Sequence, residues 1–269
     1  MHRLVLARSD SLGMERLEES AVDRVRRRTL DPQQADASGM LGSMDLHGAL
    51  ASTPAGAVPL RRVPGLPGGA AAAKLESMHR RTVLDLLDAY LQRHPGDATV
   101  VARTRSLVHG RSDCFERTCL PGHVTGSAWV VSADFEQVLL THHRKLGRWL
   151  QLGGHADGDP DPLRVALREA REESGLERLH PAPPGSVGIL DLDVHAIPAL
   201  GAEPAHDHHD LRFLFVAEAG QDLRISDESN DLRWVPFSAL RDFADEESLL
   251  RMADRARAVL AILNPRPRP

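Results

Sequence analysis

The chain has 269 residues, 42% of them hydrophobic, a formal net charge of −5 and a pI near 6.3. That is ample for one domain of ordinary size with extensions, and the acidic balance excludes a nucleic-acid binder that relies on bulk positive charge. There is no run of about 18 apolar residues, and the N-terminal MHRLVLARSD lacks a sustained apolar stretch, so the sequence reads as neither membrane-spanning nor secreted. Cys114 and Cys119 are too few for a disulfide framework, and their gap is not that of a zinc ribbon, so a reducing cytoplasm is the expected compartment.

In chain order, residues 1–76 read as a disordered extension. Gly, Pro, Ala and Ser dominate Asp36 to Ala73, although Leu17, Ala21 and Val25 allow a short helix over Met14 to Arg28. Met78 offers an alternative start. Residues 77–120 read as a helical appendage. Ser77 caps a first helix whose face carries Val83, Leu84, Leu87, Tyr90 and Leu91 and which ends before His94-Pro95-Gly96. A second runs over Ala98 to His109.

The main domain is placed at 121–245. Strands are predicted over Val124 to Ser132 and Gln137 to His142, joined by the turn Ala133 to Glu136. Trp149 to Leu152 then leads into a glycine turn. Further strands are expected near Val187 to Ile197, Leu211 to Glu218 and Asp231 to Val235, with a terminal helix over Glu246 to Leu263 and a tail completing 246–269. Strands with one helix in the middle and one at the end make an α+β sandwich.

The chemistry concentrates in Gly153 to Leu176, GGHADGDPDPLRVALREAREESGL. Asp161 is the helix cap, Pro162 suits the first turn, Leu163, Ala166, Leu167 and Ala170 form an apolar face, and Gly175 supplies the stop. Glu169, Glu172 and Glu173 share the other face at i, i+3 and i+4. Three carboxylates so placed repel one another, and a hard divalent cation with oxygen ligands, Mg²⁺ or Mn²⁺, explains them better than Arg168 and Arg171 alone.

Gly154, Arg168-Glu169, Ala170, Glu172-Glu173, Gly175 and Leu176 fall at the spacings of the Nudix box, which the chain resembles at every fixed position except the first Glu, here Pro160 between Asp159 and Asp161. The resemblance implies a Nudix-type α/β/α sandwich with a mixed sheet. It also implies a hydrolase that cleaves the pyrophosphate bond of a nucleoside diphosphate-linked small molecule, working as a monomer or homodimer. By the same resemblance Glu169, Glu172 and Glu173 and the Gly153 carbonyl bind metal, Glu169 or Glu172 serves catalysis, and Arg168 holds the carboxylates in place. Glu228, ahead of Leu232-Arg233-Trp234, is the candidate for a later carboxylate completing the site. Arg144, Lys145, Arg148 and Trp149 are candidates for substrate contact.

Fourteen histidines are many, and several lie near the motif. On a strand, His206, His208, Asp210 and Arg212 share one face while Leu211, Phe213 and Phe215 take the core. A second resemblance, to isopentenyl-diphosphate isomerase, aligns Glu116 and His123, then His155, then His208 and Asp210, with that enzyme's metal ligands. It implies a second, transition-metal site, Mn²⁺, Zn²⁺ or Fe²⁺, at His123, His155 and His208. Gly153 stands where the isomerase has its catalytic Cys, which argues against isomerisation. A binding or regulatory module without turnover, favoured by Pro160, is the remaining alternative.

Overall fold

The computed structural model describes residues 70–185, 188–201, 203–244 and 246–264, with side chains from residue 79 onward. The expected N-terminal extension up to residue 69, with its helix over Met14 to Arg28, lies outside the described residues. Two helices come first, α1 (Ala70–Arg93) and α2 (Ala98–Gly110). The first begins at Ala70 rather than Ser77, because the alanine run read as low complexity is also the strongest helix former.

Strands β1 (Gly122–Val131), β2 (Gln137–His143), β3 (Arg148–Leu150) and β4 (Leu152–His155) precede α3 (Pro162–Ser174). After it come β5 (Leu179–Pro181), β6 (Asp191–Ile197), β7 (His206–Ala217), β8 (Ser229–Pro236), the single turn α4 (Leu240–Phe243) and α5 (Glu247–Leu263).

All eight strands join one mixed sheet organised around β1. β1 runs parallel to β7 along its whole length, from Gly122↔Asp207 to Val131↔Val216. Its other edge is shared antiparallel by β4, from Thr125↔His155 to Ala128↔Leu152, and by β2 at Val131↔Val138. Outward from there, β2 pairs with β3 and β8, and β7 with β5 and β6. Every residue of β1 is buried: its end, Ala128 to Val131, is apolar toward both faces, while His123, Thr125 and Ser127 put polar groups on one face of its first part.

The sheet is covered on both faces. Val124, Ala128, Val130, Leu211, Phe213 and Phe215 pack with Val165, Ala166 and Ala170 of α3 and with Val83, Leu87, Val101 and Val108 of α1 and α2. Trp129, Val131, Leu214 and Val216 pack on the other side against Leu249, Met252, Ala253 and Ala256 of α5. The helical pair therefore shares a core with the sheet, and the molecule is an α+β sandwich of α/β/α layers.

The strands depart from the sequence reading chiefly at β5, β6 and β7. β5 was not anticipated, being only Leu179–Pro181, and β6 begins at Asp191 rather than Val187. β7 begins at His206 rather than Leu211, because HDHHD has no apolar signal, yet it pairs fully with β1 and β6.

Candidate functional site

α3 carries its own start and stop. The Asp161 carboxylate accepts from the backbone N–H groups of Leu163 (3.1 Å) and Arg164 (3.3 Å), and Gly175, at φ 72°, closes the helix in the left-handed conformation. Asp159 is occupied as well, accepting from Arg164 Nε at 2.7 Å and from the Asp161 N–H. Both aspartates flanking Pro160 are thus engaged at the start of α3.

Farther along α3, Glu169 stands against the glycine turn so closely that a Cβ on Gly154 would lie 2.5 Å from its carboxyl carbon. Arg168 donates from Nη1 to Glu169 (2.7 Å) and Glu172 (3.3 Å), and from Nη2 to the His155 carbonyl (2.9 Å). It therefore links the helix carboxylates to β4.

Burial raises the Glu169 carboxyl pKa; Arg168 opposes the shift, while Glu172 and Glu228 add to it. Glu173 is deeper. Burial first, then Glu169, Glu228 and Glu172, push it up to about 8, with the Gly153 backbone N–H pulling the other way. Its Oε2 is buried with no hydrogen-bond partner. Glu228, exposed in the loop before β8, adds to the upward shift at both Glu169 and Glu173 through its charge. Four carboxylates and one orphaned buried oxygen are a donor set suited to a hard divalent cation.

The basic and aromatic candidates before the turn are largely engaged. Trp149 packs edge-on against Phe243 and near His142, with the Arg233 guanidinium 5.5 Å from its ring. Arg148 pairs with Glu246, and Arg144 donates to the Ser229 carbonyl at 3.1 Å.

Sheet pairing also assembles histidines from four strands. His123 lies opposite His208 across β1 and β7, His208 opposite His195 across β7 and β6, and His155 opposite Thr125, two residues along from His123. The His123 ring is 5.2 Å from that of His155, 4.9 Å from His206 and 4.8 Å from His208. Burial lowers all three expected ligands, His123 to about 4 and His208 to about 3, so they are neutral at pH 7.

Two other candidates lie elsewhere. Asp210 is buried, accepting from Thr125, Ser127 and Arg212, and Glu116 is exposed beside Gly158. His195 and His206 were not in the expected ligand set. Their position on the strand face shared with His208 is the signal that would have found them.

A second buried polar system was not anticipated. Arg212 bonds Asp210 (2.7 Å), Asp191 (3.0 Å) and Asp193 (3.1 Å), and Arg251 and Arg255 of α5 close on Asp191 from the other side. Arg255 continues to Asp97 and Tyr90, tying α5, the sheet and the helical pair together. The spacing of Asp191 with Asp193, and of Arg251 with Arg255, marks one strand face and one helix face, but nothing local says that they meet.

The NUDIX domain model matches residues 123–256. The chain belongs to the Nudix family. The match spans the sheet, α3 and most of α5, and its box is the helix just described. Among solved structures, the Nudix domain is similar to a C. elegans Ap4A hydrolase in a binary complex, with 17% identity over 51% of this chain and 97% of that one and a TM-score of 0.41. It is also similar to a Clostridium perfringens hydrolase of the NUDIX family (24%, 51% and 97%, 0.38) and to a Nudix hydrolase from M. smegmatis, RenU (21%, 55% and 91%, 0.40). Scores this low bear on nothing beyond the likeness itself. No curated protein matches the sequence. Among the described residues, no helix is long and apolar enough to cross a membrane.

Proposed function

We propose that this Nudix protein is a metal-dependent hydrolase that cleaves the pyrophosphate bond of a nucleoside diphosphate-linked small molecule. The observation that carries the reading is Glu173, a buried carboxylate with one oxygen unpartnered and three further carboxylates around it. Burial of like charges at that density is unfavourable unless a cation joins them. Glu169, Glu172, Glu173 and Glu228, with the Gly153 carbonyl, would hold Mg²⁺ or Mn²⁺. When bound, such ions neutralise the diphosphate oxygens, orient the phosphorus for in-line attack and lower the pKa of the attacking water.

The protein's own part is positioning. Arg168 fixes Glu169 and Glu172 with respect to β4, and Gly154 lets Glu169 lie against the strand. Glu172, the most exposed carboxylate on α3, can face solvent and ligand, while Glu173 anchors the inner side.

The test is release of phosphate or pyrophosphate, with Mg²⁺ or Mn²⁺, over nucleoside diphosphate sugars, dinucleoside polyphosphates, dinucleotides and nucleoside triphosphates. The wild type turns over at least one class, and Glu172→Gln or Glu173→Gln abolishes turnover with the fold intact. Full activity in the double variant would sink the assignment. The second reading, a binding module without turnover, is favoured by Pro160 and by the engagement of Asp159 and Asp161, and wild-type inactivity across the whole panel would select it.

A further inference from the structure

We infer that His123, His155 and His208 bind a divalent transition-metal ion, Zn²⁺ in the first instance, at a site separate from the carboxylates of α3. One ring nitrogen from each lies within 4.8 Å of the others. His123 is fully buried, and neither of its nitrogens has a hydrogen-bond partner of normal distance and angle, although the Cys119 backbone lies nearby. A buried imidazole with an unused lone pair facing two more imidazoles is explained by a cation among them.

His206 extends the argument. Its Nδ1 lies 2.9 Å from the Pro204 carbonyl, an acceptor only, so the proton sits on Nδ1 and Nε2 presents a lone pair. That lone pair is 3.3 Å from His208 Nε2. In a tetrahedral site with Zn–N bonds of about 2.0–2.1 Å, neighbouring ligand nitrogens are about 3.3–3.4 Å apart. The pair thus has the spacing of two ligands on one ion, while the three nitrogens that converge within 4.8 Å of one another are those of His123, His155 and His208. All-imidazole ligation suits Zn²⁺ and other borderline ions and is poor for Mg²⁺, so this centre and the carboxylate site select different metals.

The two sites are close in sequence but face opposite ways. The Cβ position of Gly154 points at Glu169 of α3, and strand alternation turns the next side chain, His155, to the other face. The inference does not depend on the hydrolase reading.

The experiment uses full-length protein without a histidine tag, dialysed against metal-free buffer and analysed for bound metal, followed by titration of the stripped protein with Zn²⁺ and with Co²⁺ as a visible probe. His155 and His208 are half-buried, so His155→Gln and His208→Gln are the variants, with metal-free melting curves to confirm folding. About one ion per chain is expected, with a visible Co²⁺ spectrum of imidazole ligation, affinity at least ~10-fold weaker in each histidine variant, and no change in Glu172→Gln. Sub-stoichiometric metal lost on dialysis, with no Co²⁺ spectrum at equimolar ion, would mean adventitious metal only and overturn the inference, as would unchanged affinity in both histidine variants. Loss of the ion in Glu172→Gln alone would place it on α3, ending the inference and leaving the hydrolase intact.

Discussion

Gly154→Ala tests how closely Glu169, a carboxylate of the proposed metal site, is tied to the glycine turn. The added Cβ would lie 2.5 Å from Glu169 Cδ, 2.6 Å from Oε2 and 2.7 Å from Oε1, where ordinary contact begins at 3.4 Å. The carboxyl group must therefore withdraw by about 0.7–0.9 Å, and it can, being the end of a flexible side chain. The backbone and core need not move, so the folding cost should stay near ~1 kcal/mol. The catalytic cost is larger. A displacement of roughly 1 Å in a positioned group removes about 10²-fold in rate, equivalent to ~2.7 kcal/mol. Withdrawal also works against the 2.7 Å contact from Arg168, which holds Glu169 from the side. The assay is kcat as a function of Mg²⁺ or Mn²⁺ on whichever substrate the panel identifies, beside a melting curve. A ~100-fold lower kcat, a raised metal requirement and a nearly unchanged melting temperature are expected. A variant within about twofold of wild type at every metal concentration would show that Glu169 need not stand where it does, and the positioning argument would fail.

Two further predictions concern stability and reactivity. Arg212, 3% exposed, is the common partner of Asp191, Asp193 and Asp210, so Arg212→Met leaves buried carboxylate charge behind and should cost about 3–5 kcal/mol in urea unfolding at pH 7. Asp193 and Asp210 are held below the usual carboxylate range, Asp193 by His195, then against burial by Arg212, and Asp210 against burial by Arg212. Their stabilisation is therefore complete above the unfolded value of 3.8 and is lost as pH falls through the lower folded values. The difference between wild type and variant should shrink below that pH, and a gap that widens there would refute the reasoning. Both cysteines are buried, and burial pushes the Cys114 thiol up to about 12 and Cys119 up to about 11. A chromogenic disulfide reagent at pH 8 should label neither until denaturant is added, and rapid labelling of the native protein would contradict their placement.

How much was legible follows from where the information sits in the chain. The acidic helix was readable in full, because cap, apolar face, carboxylates and stop lie within Asp161 to Gly175 and depend only on helix geometry. The histidine triad was reached only through a resemblance. Its members come from β1, β4 and β7, and the parallel pairing of β1 with β7 that sets His123 beside His208 has no local signature. The same pairing explains the missed start of β7. His206 to Asp210 are polar and look like a loop, yet each is a strand residue whose polar group is absorbed by another imidazole, by Arg103, by Thr104 or by Arg212. Buried polar residues become intelligible only with their partners, and the partners were 80 or more positions away for Ser127 with Asp210 and for Thr104 with His209.

β4 joins these two kinds of information. It contributes only Leu152 to His155, and the sequence marks it merely as the approach to a glycine turn. In the fold it is held against β1, and its alternation sends Gly154 toward Glu169 and His155 toward His123 and His208, while the His155 carbonyl is held by Arg168. A shift of one residue in the β4 register would exchange these faces, putting His155 against Glu169 and Ala156 among the histidines in one direction, or Gly154 among the histidines in the other. The glycine pair and the histidine after it are therefore one structural unit: the strand is bare where α3 presses on it and carries an imidazole on the reverse side.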